Sequence, residues 1–390
     1  MEQKDNPSKK ATVVLVGGGQ VNSSVLVYFK KLSRSLRSKV DLYLVSEFEE
    51  WLYPSMIPGV VSGIYSIQEA SVDLKALAYY SDSSFLLQSP TMLNPLTQTL
   101  TLQSKEVIPY DFLVVSLESS CFREDSCVNF SAYKSFCHQI QAAEERLVET
   151  KEDPNIVVVG RNLAAVELCF NLHSRFSKSF EEVNMQLVSD QEPLEEFPES
   201  FKRKVLQELD LKGIKVTKGT GISCIRHNAL FLEDSQTIKG NLVVNSSLQL
   251  HPEFLNALPR TSEGLFLLDE YLQCYGFQNI MIVGQTCTQG SNKTNYYRQA
   301  QVVFKNLSKK LKNFFEATQE KLTKYEETSD ELTILNLGDG RALATKWGKS
   351  LRGKTVMWTK DFLDKRFVYS FQAKKLFSKK ELEDYRSVYS

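Results

Sequence analysis

At 390 residues the chain exceeds a usual single domain, which implies two or three compact units with ample core. Lys plus Arg and Asp plus Glu number 47 each, so no overall field draws nucleic acid and no nucleic-acid partner is expected. The polar start Met1-Glu2-Gln3-Lys4-Asp5-Asn6 lacks a secretory apolar region, and no apolar run approaches the roughly 20 residues of a spanning helix; the expectation is a cytoplasmic protein. Seven scattered cysteines and four histidines lack metal-ligand spacing, so reduced thiols and no metal site are expected.

Four apolar residues, Val13-Val14-Leu15-Val16, run into Gly17-Gly18-Gly19 and then into a helical pattern from Gln20. Strand, tight turn and helix in that order read as a dinucleotide site, with an ordinary glycine turn as the alternative: in such a site the glycines let backbone approach a phosphate, and the helix points its first N–H groups at the anion. In the GxGxxG pattern Gly17 and Gly19 are present, whereas Asn22 takes the third place. A second strand, Val40–Val45, ends at Ser46-Glu47, and either residue is a candidate acceptor for ribose hydroxyls. Tyr53–Gly63, with two prolines and two glycines, reads as a shaped loop beside this site. Leu100–Leu102 and Val107-Ile108 read as hairpin strands, and Tyr110–Ser116 as a further buried strand.

The polar, helical stretch Cys121–Asp153 reads as a crossover between domains. A second strand–glycine–helix opens at Ile156-Val157-Val158-Val159-Gly160, and Met185–Asp190 closes its βαβ unit, so the chain repeats the nucleotide-binding design. Only Gly160 of the glycines survives here. Asn162 and Ala165 stand in the other two places, and the Asn162 side chain takes space that a pyrophosphate needs. Helix, glycine stop and strand follow at Leu206–Val216, then strands at Leu242–Asn245 and Asn279–Gly284 and a helix from Tyr296, continued by the lysine-rich stretch Lys305–Lys324. The tail resumes strand order at Leu332–Leu335 and ends with Trp347, Trp358, Phe362, Phe367, Tyr369 and Phe371 among basic residues. Such a tail suits either a packed subdomain or contact with a membrane surface.

Several stretches together carry a family resemblance: Gly17-Gly18-Gly19, Tyr53-Pro54-Ser55-Met56-Ile57-Pro58-Gly59, Ser71-Val72-Asp73-Leu74, Tyr110-Asp111-Phe112-Leu113, Val283-Gly284, Tyr297-Arg298-Gln299-Ala300, Gly338-Asp339-Gly340-Arg341-Ala342 and Lys360–Phe367. The chain resembles the FAD/NAD(P)-binding pyridine nucleotide oxidoreductases. It is most similar to type II NADH dehydrogenase-like flavoproteins, including the flavoprotein that some bacteria carry fused to selenide, water dikinase. The resemblance implies an α/β fold with two Rossmann-like, three-layer ββα dinucleotide-binding domains in a glutathione-reductase-like arrangement, plus a small C-terminal α+β module.

It divides the chain into an FAD-binding domain in two segments, 11–125 and 255–320, an NAD(P)-binding domain at 126–254 and a C-terminal module at 321–390. Gly17, Gly18, Gly19, Asn22 and Ser46 or Glu47 are then expected on the ADP half of FAD, with Pro54 in the loop beside it and Gly284 with Gln285 by the ribityl chain. Gly160 and Glu167 are expected to line the NAD(P)H site. The implied activity is hydride transfer from NAD(P)H to flavin and on to a quinone or other small acceptor. The catalytic residues are unassigned, and the protein is expected in the cytoplasm, with its tail peripheral to the inner face of the membrane.

Two departures matter. Gln285 replaces the family's usual Asp, and Glu118 falls where the family generally has glycine. These, with Asn162 and Ala165, also suit a non-catalytic descendant that binds a nucleotide or a protein partner. No CxxxxC pair follows the first βαβ unit, so no thiol relay is expected.

Overall fold

The computed structural model describes residues 10–117, 128–129, 133–219, 221–226, 228–246, 252–262, 264–284, 295–316, 318–326 and 331–389. Expectations that fall on Glu118, Cys121, Cys127, Gln285 and Cys287 lie outside these residues.

The first sheet is built from β1 (Ala11–Val16), β2 (Val40–Ser46), β3 (Ser84–Leu87), β4 (Phe112–Leu117) and, from much later in the chain, β9 (Phe277–Gly284). Its spatial order is β9-β4-β1-β2-β3, all parallel, and the short strand Gln273–Cys274 adds antiparallel on the outer edge of β9. Both faces are covered, and the side chains divide strictly by parity, as the two-residue strand period requires. Val13 and Leu15 share a core with helices α1 (Gln20–Phe29) and α5 (Tyr296–Glu316), through Val21, Val25, Ala300 and Val303. Val14 and Val16 pack instead on Leu93, Leu100, Leu102 and Ile108 of a three-stranded antiparallel sheet. The result is the expected three-layer ββα unit.

The same plan recurs in β5 (Asn155–Val159), β6 (Asn184–Ser189), β7 (Lys215–Lys218) and β8 (Leu242–Asn245), with β8 next to β5 and the strand Val128–Asn129 beyond it. Ile156 and Val158 face helix α4 (Leu163–Phe176), while Val157 and Val159 pack on Leu230 and Leu232 of a second three-stranded sheet. Helix α3 (Tyr133–Thr150) precedes this unit, within the stretch expected to be helical. The C-terminal module is an antiparallel sheet of β10 (Thr333–Asn336), β11 (Ala342–Lys346) and β12 (Lys349–Gly353), followed by α6 (Lys354–Tyr369).

Two local expectations are corrected. The Tyr53–Gly63 loop contains a tight turn, Pro54–Met56, and one turn of α-helix, α2 (Ile57–Val61). Pro58 falls in the first turn of α2, where its missing N–H would have had no helical partner anyway. The lysine-rich stretch is helical only to Glu316; residues 318–326 then run extended back along α5. Side-chain amides draw them there. Asn313 takes the Glu320 N–H at 2.9 Å, and Asn306, one heptad earlier, takes the Thr323 N–H at 2.7 Å and donates to the Thr323 carbonyl at 2.9 Å.

The C-terminal module is held on α4 and on the helix Glu199–Leu211. Ser174 donates to the Gly338 carbonyl at 2.5 Å, and the buried carboxylate of Glu208 pairs with both Arg341 and Arg352. Gly338 has φ +74°, and a Cβ there would lie 2.5 Å from the Phe170 carbonyl oxygen, whereas Gly340, at φ +80°, faces open space. Both glycines to alanine should lose the roughly 1–2 kcal/mol of a left-handed residue. Gly338→Ala should lose a further ~1–3 kcal/mol, because backbone must move to relieve the overlap. Urea unfolding of the two variants checks this, and equal losses would contradict the close approach.

Candidate functional site

In doubly wound sheets ligands sit beyond the C-terminal strand ends where the order reverses, here between β1 and β4. A cavity of about 360 Å³ lies at that point. Its lining comes from Val16, Gly17 and Gly18 after β1, Val45 to Phe48 at the end of β2, Val115 to Leu117 at the end of β4, and Pro90, Thr91 and Pro252 to Phe254 over the top. Gly17 has φ +88°, and a Cβ on it would come within 2.5 Å of the Ser116 carbonyl. Gly18 has no room for a Cβ because the Leu74 methyls occupy its place.

Gly19 is the N-cap of α1 and offers no side-chain cap. Asn22 turns the other way: fully buried, it donates to the Val16 and Gly17 carbonyls, both at 2.8 Å, and so ties the helix to the strand end. That bond does the work of the missing third glycine, which normally permits close helix–strand packing. Ser46 and Glu47 both reach the cavity. The Ser46 hydroxyl accepts the Phe48 N–H at 3.2 Å and shapes the turn, while burial raises the Glu47 carboxyl above its ordinary value, opposed by a hydrogen bond with Ser89. Gly284 ends β9 with φ +118° against the Leu117 backbone. A glycine cradle and an uncapped helix start fit the phosphates of a dinucleotide, and Glu47 fits a ribose.

The second turn differs. Gly160 keeps positive φ, +144°, but Asn162 caps α4 itself, its Oδ1 accepting the Ala165 N–H at 2.9 Å. One donor that an incoming phosphate would use is therefore taken by the chain. The Ser246 hydroxyl beside Gly160 is buried without a partner.

Glu167 lies elsewhere than on this turn. It projects from α4 toward the C-terminal module, 6 % exposed, and accepts the Asn336 N–H at 2.9 Å. Lys360 of α6, equally buried, stands 3.9 Å away. The Lys360 ammonium donates to Asp364 at 2.8 Å, to the Ser55 carbonyl at 2.8 Å and to the Ser55 hydroxyl at 2.7 Å. Pro54 opens the turn that carries Ser55, so this expected site residue meets the cluster through its neighbour.

Burial pushes the Glu167 carboxyl up to about 7, against the Lys360 ammonium and the Asn336 N–H that pull it down. Burial pulls the Lys360 ammonium down, but Glu167 and Asp364 outweigh it and hold the group above its ordinary value. Burial, with Asp364, Asp361 and Glu167, also raises the Tyr65 phenol. A carboxyl that titrates near neutrality beside a fixed ammonium can give or take a proton at working pH. Ser55, Lys360 and Asp364 fall within stretches that carry the family resemblance but were not named as site residues, yet a further signal exists. The buried stripe of α6 is Met357, Lys360, Asp364 and Val368, so two charges fall where helical spacing demands apolar residues.

The paired sheets, the strand-end cavity and the C-terminal module define the class: the chain has the fold of the flavoproteins with two dinucleotide-binding domains. Among solved structures it is similar to the sulfide:quinone oxidoreductase of Aquifex aeolicus, at 17% identity and a TM-score of 0.76 over 95% of this chain and 94% of that one. It is likewise similar to NDH2 from Plasmodium falciparum in complex with NADH, at 12% identity and a TM-score of 0.69 over 97% of both chains. Among characterised proteins it is 23% identical over 316 residues to ferroptosis suppressor protein 1 of Xenopus laevis, covering 76% of this chain and 79% of that protein. No family model matches the chain.

The raised Glu167 carboxyl gives a pH signature. Its folded value of about 7 lies above the ordinary 4.5, so the native state binds the proton more tightly, and stability present below pH 4.5 is lost as pH rises through 7. Glu167→Gln removes this dependence. Its stability relative to the parent should rise between pH 4.5 and 8, by on the order of 3 kcal/mol at most. Urea unfolding across that range measures it, and parallel pH profiles would show that Glu167 stays ionised.

Proposed function

We propose that the chain is an FAD-dependent oxidoreductase that takes reducing equivalents from NAD(P)H and delivers them to a quinone-like acceptor. The observation that carries this reading is the cavity at the β1/β4 switch point, with its glycine cradle and Glu47. Residues 11–125 and 255–320 hold FAD, 126–254 receive NAD(P)H, and 321–390 form the C-terminal module. In the first site Gly17, Gly18 and Gly19 cradle the phosphates, Asn22 fixes the turn, Glu47 rather than Ser46 takes the ribose, and Gly284 and Gln285 lie by the ribityl chain. Bound FAD supplies the two-electron chemistry, hydride acceptance and onward delivery; the protein positions it and excludes water.

A quinone takes up protons as well as electrons, and Glu167, its carboxyl pushed up to about 7 beside the Lys360 ammonium, is the group suited to hold such a proton. The names of the similar proteins agree, since one acts on a quinone and another binds NADH. Purified protein should be yellow and should bleach anaerobically with NADH or NADPH. No colour after reconstitution with excess FAD would refute the cofactor. Stable colour with both donors would favour a nucleotide-binding protein, the reading to which the self-capped turn at Asn162 lends weight.

The C-terminal module adds a location. Trp347, Leu351 and Trp358 are about 70% exposed, and Trp358 stacks on Phe362 at 6.0 Å with Leu363 and Tyr369 also outward. Lys346, Lys349, Lys354, Lys365 and Arg366 lie among them. Apolar side chains rimmed by cations suit the surface of an anionic bilayer. No helix among the described residues is long and apolar enough to cross a membrane. The protein should cofloat with phosphatidylglycerol-rich vesicles and far less with phosphatidylcholine alone, and the double variant Trp358→Asp, Phe362→Asp should remain unbound. Equal binding by parent and variant would place the contact elsewhere.

A further inference from the structure

Gln299 is the fourth residue of α5 and is wholly buried. Its Oε1 accepts the Gly284 N–H at 3.0 Å, and because an N–H can only donate, this bond fixes which way the amide points. Its Nε2 is then left buried with no partner. An unpaired buried amide is costly, and native proteins retain one chiefly where something else completes it. The place is specific: Gly284 ends β9 in register with Leu117, and Leu117 lines the strand-end cavity. Among the described residues the amide nitrogen meets no acceptor, and the backbone N–H of Gln299 is committed to the Asn295 carbonyl at 2.9 Å.

Resting on the cofactor reading above, we infer that Gln299 is a cofactor-binding residue, its Nε2 donating a hydrogen bond to an oxygen of bound FAD. Gly284 then has two duties. Its missing Cβ lets β9 approach Leu117, and its N–H holds the Gln299 Oε1, which leaves Nε2 as the end that can donate to a ligand. The resemblance implied Gly284 and Gln285 for this region and included Gln299 only within a motif, without a role; the helix returns it to the strand end fifteen residues after Gly284.

The test is titration of the full-length apoprotein with FAD, followed by quenching of free flavin fluorescence. Gln299→Glu keeps an acceptor for the Gly284 N–H and replaces only the donor. At pH 8 it should bind FAD about 10- to 100-fold more weakly than the parent. As pH falls and the carboxyl protonates, its donor returns, so affinity should recover toward the parental value while the parent shows no such gain. Gln299→Leu should bind weakly at every pH. Parental affinity in either variant, or a weakening of Gln299→Glu that ignores pH, would overturn the inference and leave Gln299 a packing residue. If the parent itself fails to bind FAD, the cofactor reading falls, and this inference with it.

Discussion

An ammonium group shut away from water must have each of its protons met, and at Lys360 the chain meets them with Asp364 and with the carbonyl and hydroxyl of Ser55. Removing any partner would leave a buried charge uncompensated, which costs far more than the bond itself. The requirement joins three distant parts of the chain: the turn after Pro54, helix α4 through Glu167, and helix α6 of the C-terminal module. Around it the amides of Asn171 and Asn336 bond each other and the neighbouring backbone, so the polar cluster is closed on its α4 side. A closed network of this kind specifies one arrangement where an apolar contact would tolerate several.

The two nucleotide turns show how one design diverges by a single side chain. Gly19 and Asn162 occupy the same N-cap position of α1 and α4. Glycine brings no side chain to cap its helix, whereas asparagine satisfies part of the first turn internally. The asparagine at Asn22 acts differently, because its amide points back to the Val16 and Gly17 carbonyls rather than to the N–H groups of its own helix. Residue type alone does not decide the outcome; the direction in which the amide finds its partner does.

Much of the fold was legible because continuous apolar runs such as Val13–Val16 and Ile156–Val159, followed by glycine, admit few structures. The first cavity followed from the same signal, and Gly17, Gly18, Ser46 and Glu47 meet there. The polar cluster was hidden for a physical reason: its members are 305 and 309 residues apart in sequence, and no local pattern encodes such pairing. Glu167 was noticed as part of a nucleotide motif, but its partners decide its environment and they come from β10 and α6. The end of α5 was misread because lysines favour helix, while the turn away depends on Asn306 and Asn313 capturing a segment that returns alongside them.

The separation between Ser55 and Lys360 also sets an order in time. At ~5–20 residues per second, the ribosome needs roughly 15–60 s to extend the chain across those 305 positions. Throughout that interval the Pro54 turn exists without the ammonium that anchors it. The polar heart of the molecule is therefore assembled only once the residues around Lys360 have been made.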